Sequence, residues 1–228
     1  MKNLFKMVLM FFSAMLIGTF TYSQEEEVPV PEDFKSEIFT PAEMDAKSET
    51  FSMDKGWQAL TKAVEDKGYK RKKDKDRKGA KDGKGAKGGD DKWGFSASYT
   101  ENGQKVETFV CMFEYTDSKG ETCTAMWAKK GTVAYKAYFT FPPGTKDVTK
   151  ATPTEMYVDA NNQIQRAKSW YTCWSGLITR CRVNSVCTSA VINNCLSQNF
   201  FSWFPCVFLA PFACVRCIQF YATYCIGR

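Results

Sequence analysis

Ten cysteines and no histidine set the chemistry open to this chain of 228 residues. Without an imidazole, a Ser-His or Cys-His nucleophile, a histidine general base and a histidine-ligated metal are all excluded. The 25 Asp and Glu residues leave carboxylate chemistry open, but no spacing among them singles out an acid and base pair. An enzyme is therefore not expected, nor is a cofactor. Cys214-Val-Arg-Cys217 has the C-x-x-C spacing common in zinc sites. No second such pair and no histidine complete a ligand set, so no metal site is expected. What remains is thiol oxidation, and an even cysteine count suits full pairing if the chain is exported.

The N-terminus supports export. Lys2 and Lys6 precede an apolar run from Met7 to Phe20, followed by Thr21-Tyr22-Ser23. That order describes a secretory signal peptide over residues 1–23, with the cut expected between Ser23 and Gln24. The apolar run is shorter than the roughly 20 residues that a permanent membrane span needs. The expected location is secreted, extracellular.

Eight of the cysteines fall at the other end. From Thr172 to Arg228 there are also six Phe, two Trp and four Arg, and no Asp, Glu or Lys. The cysteines form four C-x7-C pairs: Cys173 with Cys181, Cys187 with Cys195, Cys206 with Cys214, and Cys217 with Cys225. Positions eight apart lie roughly 12 Å apart along a helix, beyond the ~7 Å between Cα atoms that a disulfide spans. Each helix must therefore be stapled to another. Two antiparallel helices joined through Arg182 to Val186 would set Cys173 beside Cys195 and Cys181 beside Cys187; the pairing of the other four stays open. Pro205 and Pro211 interrupt the helical pattern between them. Apolar side chains are densest at Phe200, Phe201, Trp203, Phe204, Phe208, Leu209 and Phe212, which with Arg216 are the residues expected to contact a membrane.

The preceding elements would carry this module. Residues 24–50 open on Gln24-Glu25-Glu26-Glu27 and contain Pro29, Pro31 and Pro41, which predicts an extended, solvated lead-in. Trp57, Leu60 and Val64 recur at helical spacing, so one amphipathic helix is expected over 51–68, capped by Asp54 and ended by Gly68. Residues 66–92 hold 12 Lys or Arg and 6 Asp, a balance of +6 that equals the net charge of the whole chain. A disordered basic linker over 69–92 follows. Its interleaved aspartates, single aromatic and exported context argue against a nucleic-acid partner. From 93 to 168 the texture is β: runs at 94–100, 106–115, 121–129, 132–141 and 155–159 alternate with turn residues such as Glu101-Asn102-Gly103. An antiparallel meander is expected, with Phe109, Cys111, Phe113 and Tyr115 on one face. A turn centred near Asp117 and Ser118 would set Cys111 opposite Cys123 for a cross-strand disulfide. The fold class is thus α+β: a small antiparallel β-meander with a short helix, followed by an all-α disulfide-stapled module over 169–228.

The cysteine density, the C-x7-C spacing and the C-terminal placement of 169–228 resemble those of halocin C8-like bacteriocin precursors. There, an exported N-terminal region precedes a cysteine-rich peptide that proteolysis releases. The module here is richer in aromatics and poorer in glycine, and its eight cysteines fall short of the ten usual in that family. The resemblance implies that the released peptide kills and that the N-terminal region restrains it or confers immunity. Bacterial membrane lipids and a processing protease are then the expected partners, with Arg166 and Lys168 as basic residues at the cut. The alternative is a secreted or cell-surface structural or adhesion protein whose cysteine-rich end only adds stability.

Overall fold

A computed structural model of the chain describes residues 28–71, 91–142, 145, 153–167, 170–183 and 212–228. These form eight strands and four helices: β1 (Lys35–Ile38), α1 (Pro41–Ser52), α2 (Lys55–Asp66), β2 (Lys70–Arg71), β3 (Lys92–Glu101), β4 (Gln104–Thr116), β5 (Thr122–Lys130), β6 (Val133–Thr140), β7 (Thr154–Val158), β8 (Ile164–Ala167), α3 (Trp170–Val183) and α4 (Phe212–Tyr224). All strands join one antiparallel sheet in the order β1-β3-β4-β5-β6-β7-β8, with β2 pairing the end of β4. The expected meander is present: β3 to β7 match the five runs read from the sequence to within about two residues, while β1, β2 and β8 are additions to it. Asn102 and Gly103 have φ of 52° and 76°, which closes β3 onto β4 through the two-residue turn their types favour.

Strand alternation gives the sheet two apolar faces. Met44, Phe51, Trp57, Leu60 and Val64 of α1 and α2 pack on the face carrying Cys111, Phe113, Tyr115, Cys123, Ala125 and Tyr138. The opposite face, with Trp93, Phe95, Tyr99, Val110, Met112, Met126 and Phe139, packs against α3 and α4. The helices thus cover both sides. Gly94 of β3 has no room for a side chain, since a Cβ there would meet the Val110 carbonyl oxygen at 2.5 Å and the Met44 sulfur at 2.9 Å.

Three boundaries differ from expectation. Residues 24–50 are not a solvated lead-in where described: they supply β1 and α1. Thr40-Pro41-Ala42-Glu43 forms a capping box, in which the Thr40 hydroxyl accepts the Glu43 N–H (3.3 Å) and the Glu43 carboxylate accepts the Thr40 N–H (2.7 Å). The acidic, proline-bearing composition hid this start signal. The helix expected over 51–68 is present as α2 with its expected cap, the Asp54 carboxylate taking the Trp57 N–H (2.8 Å), and it differs only at its start, where Phe51 and Ser52 close α1 instead. The linker expected over 69–92 is ordered at both ends: Arg71 of β2 pairs with the buried Asp91 at 2.8 Å and lies over the Phe113 ring. Residues 72–90 of that linker lie outside the described residues.

The cysteine expectations also change. Cys111 and Cys123 are free and buried. The Asp117 carboxylate accepts the N–H groups of Lys119 and Glu121, so the β4–β5 turn centres on residue 119 and pairs Cys111 with Trp127 and Cys123 with Tyr115. Four positions of slip put the two thiols about 13 Å apart along the strands, out of disulfide range. In the C-terminal region the staples run from α3 to α4: Cys173–Cys225 (Cα–Cα 5.8 Å) and Cys181–Cys217 (6.0 Å). The eight-residue ladder between two antiparallel helices is as expected, but the partners are Cys225 and Cys217, not Cys195 and Cys187. Both partner sets have the same spacing. The choice is made by the sheet, which seats α4 beside α3. Cys214 is also disulfide-bonded; Cys187, Cys195 and Cys206 lie outside the described residues.

Candidate functional site

The feature that stands out chemically is the seat of the stapled helices. Cys214, Cys217, Ile218, Gln219, Phe220, Tyr221, Ala222 and Cys225 are all buried, so α4 is apolar nearly all round and must be enclosed. It is held from three sides. The sheet supplies Tyr99, whose ring meets Phe220 edge-on at 5.5 Å. Helix α3 supplies the two disulfides seen among the described residues and the Trp170 indole N–H, which donates to the Ala222 carbonyl at 3.0 Å. Residues 28–36 supply the third side. The Arg216 guanidinium donates to the Pro31 and Glu32 carbonyls, the Tyr221 hydroxyl to the Val28 carbonyl (3.3 Å), and the Ser36 hydroxyl to Gln219 Oε1 (2.6 Å). Phe34 is buried between Tyr99 and Phe220.

Helix α3 is fixed at its N-terminus by Glu155 of β7, which is 2% exposed. Its carboxylate accepts the Trp170 N–H (3.3 Å), the Tyr171 N–H (3.2 Å) and the Tyr135 hydroxyl. Acidic groups suit that helix end, where the first N–H groups have no partner within the helix. Burial pushes the Glu155 carboxyl above its ordinary value, against the opposing pull of these three donors. Trp170 and Trp174 then stack at 5.5 Å, and Trp170 tilts onto Phe139 at 5.5 Å. Glu155 is the residue that sequence reasoning missed; the signal was a lone acid alternating with Tyr157 on an inward strand position.

A second feature lies on the other face, where α1 and α2 leave part of β1, β3, β4 and β5 uncovered. The result is an open cleft of about 1340 Å³ lined by Lys35, Glu37, Ser96, Ser98, Lys105, Glu107, Lys129 and the Lys47 side of α1. Lys105 pairs with Glu107 at 2.8 Å, Lys47 sits 4.9 Å over the Phe109 ring, and Glu43 is committed to its helix cap. The charges are mixed in sign, with Lys105 and Glu107 paired to each other. Burial pushes the Cys111 and Cys123 thiols up to about 12, so neither is a nucleophile at neutral pH. Among the described residues, no group of three His, Cys, Asp or Glu side chains could hold a metal ion.

The residues expected from sequence fall unevenly. Of the membrane-contacting set, Arg216 is tied to the Pro31 and Glu32 carbonyls. Phe212 opens α4, its side chain outside the described set. Phe200, Phe201, Trp203, Phe204, Phe208 and Leu209 lie outside the described residues, as do Ser23, Gln24 and Lys168. Arg166 sits exposed on β8, opposite Met156. No helix among the described residues is long and apolar enough to cross a membrane. Comparison with protein-family models, curated proteins and solved structures finds no match to this chain.

Proposed function

We propose that the chain is an exported, bacteriocin-like precursor whose α+β domain holds a cationic, disulfide-stapled C-terminal region in a docked form. Freed by proteolysis, that region permeabilises bacterial membranes. The observation that carries the reading is the burial of the aromatic rings of α3 and α4 in the docked form. Trp170, Tyr171, Trp174, Phe220 and Tyr221 are at most 4% exposed. Arg216 is bound to backbone carbonyls, and Arg228 lies over the Tyr224 ring and faces Glu101 at 3.8 Å. Released, the same groups would present cations to anionic lipid and aromatic rings to the interface. The resemblance of 169–228 to halocin C8-like precursors points the same way. Mass spectrometry of culture medium from a producing strain tests the reading. It predicts a free, oxidised fragment starting near Ser169; an intact chain retained on cells would count against it.

A second reading has its own support. The aromatic residues of α3 and α4 belong to the same core as Trp93, Phe95 and Phe139 of the sheet. In this reading the region never leaves, and the disulfides only stabilise a surface or adhesion domain.

A further inference from the structure

We infer that residues 28–36 are a strap that locks the C-terminal helical pair onto the sheet, so that cutting the chain ahead of α3 does not by itself free the pair. This rests on the precursor reading above and adds how release is controlled.

The strap contacts α4 at four points. Tyr221 donates to the Val28 carbonyl, Arg216 to the Pro31 and Glu32 carbonyls, Phe220 packs on Phe34, and Gln219 accepts from Ser36. Val28 and Val30 add partly buried apolar contact to the same core. The strap is itself anchored, because it runs directly into β1, whose four residues pair Lys35 to Ser98 through Ile38 to Phe95 on β3. Tyr99 of the sheet and Phe34 of the strap both meet the Phe220 ring, so sheet and strap grip α4 together. Arg216 makes charge-assisted bonds to two carbonyls, the stronger class of hydrogen bond.

Covalent connection does not do this job. Both described disulfides lie within the α3–α4 pair, and Cys111 and Cys123 in the sheet are free. Once the backbone is cut between β8 and α3, the pair is held by the Glu155 acceptor, the apolar face and the strap. The strap also begins only a few residues after the expected cut between Ser23 and Gln24.

The test uses the exported chain from Gln24 with a specific protease site inserted between Lys168 and Ser169. After cutting, the dissociation half-life of the C-terminal fragment is measured by surface capture under oxidising conditions. It is compared with that of a chain lacking residues 24–32 and of Arg216→Gln. The cut wild-type strap should hold the fragment. Each variant should shorten the half-life by about tenfold or more, the scale of one or two lost charge-assisted bonds, with uncut chains retaining their circular dichroism. If the truncated chain fails to fold, Arg216→Gln carries the comparison alone. Equal half-lives with and without the strap, or immediate separation of the cut wild type, would overturn the proposal. The freed fragment is then added to anionic vesicles: release without leakage would refute the precursor reading and leave the strap standing.

Discussion

Replacing Glu155 with alanine removes the one acceptor shared by two buried N–H donors and the half-buried Tyr135 hydroxyl. The Trp170 and Tyr171 N–H groups belong to the first turn of α3 and have no partner within the helix. The Tyr135 hydroxyl loses the same acceptor. A buried donor left unpaired costs about 1–3 kcal/mol. Water entering the vacated space, together with relief of the desolvated carboxylate, offsets part of the sum, which leaves a net loss of about 3 kcal/mol. Glu155→Gln keeps an acceptor for two donors but turns its NH₂ toward the third, so its loss should be about 1 kcal/mol. Urea unfolding of the oxidised full chain, followed by tryptophan fluorescence, reads both losses as a fall in midpoint at constant slope. The pH dependence has a definite sign. Burial raises the Glu155 carboxyl in the folded state, so its contribution is complete below the unfolded value and is lost as pH rises through the folded one. The wild type's advantage over Glu155→Gln should therefore shrink as pH rises from about 4. A Glu155→Ala chain within about 0.5 kcal/mol of wild type would refute the capping argument.

Reducing Cys181–Cys217, or replacing both residues with alanine, opens a link across 36 residues. The loop-entropy estimate is roughly 4 kcal/mol, to be read as a lower urea midpoint and faster proteolysis of α4. Asp54→Ala removes the α2 cap and the partner of Lys136, 2.7 Å away, and should cost about 1–2 kcal/mol by thermal unfolding. Partial burial pushes the Asp54 carboxyl up, but Lys136 and the Trp57 N–H outweigh it and hold it below its ordinary value. That stability is present above the unfolded value and lost as pH falls through the folded one. Cys111 and Cys123 should resist iodoacetamide in the native chain and react fully in denaturant, counted by mass.

The sheet was legible because its signals are local. Alternating apolar runs and the Asn102-Gly103 turn place β3 to β6 without tertiary information. The two faces followed too: Phe109, Cys111, Phe113 and Tyr115 do share a side. What failed depends on register and on partners distant in sequence. A turn centre displaced by two residues moves the pairing by four, and with it the Cys111–Cys123 disulfide. The C-x7-C ladder showed that helices must be stapled in pairs, but spacing alone cannot separate Cys187 and Cys195 from Cys217 and Cys225. Glu155 and the strap were invisible for the same reason, since each acts on a helix that the chain reaches only after more than a dozen residues or nearly two hundred. The capping box at Thr40 to Glu43 was readable, but an acidic, proline-rich composition outweighed it.

The measurement that bears most directly on the precursor reading is dye release from anionic lipid vesicles by the full chain carrying the protease site before α3, before and after cutting, with neutral vesicles alongside. The uncut chain should be inert, and the stapled fragment, once separated, should cause leakage from anionic vesicles at low micromolar concentration with none from neutral ones. A separated, oxidised fragment that releases no dye from either would contradict the precursor reading.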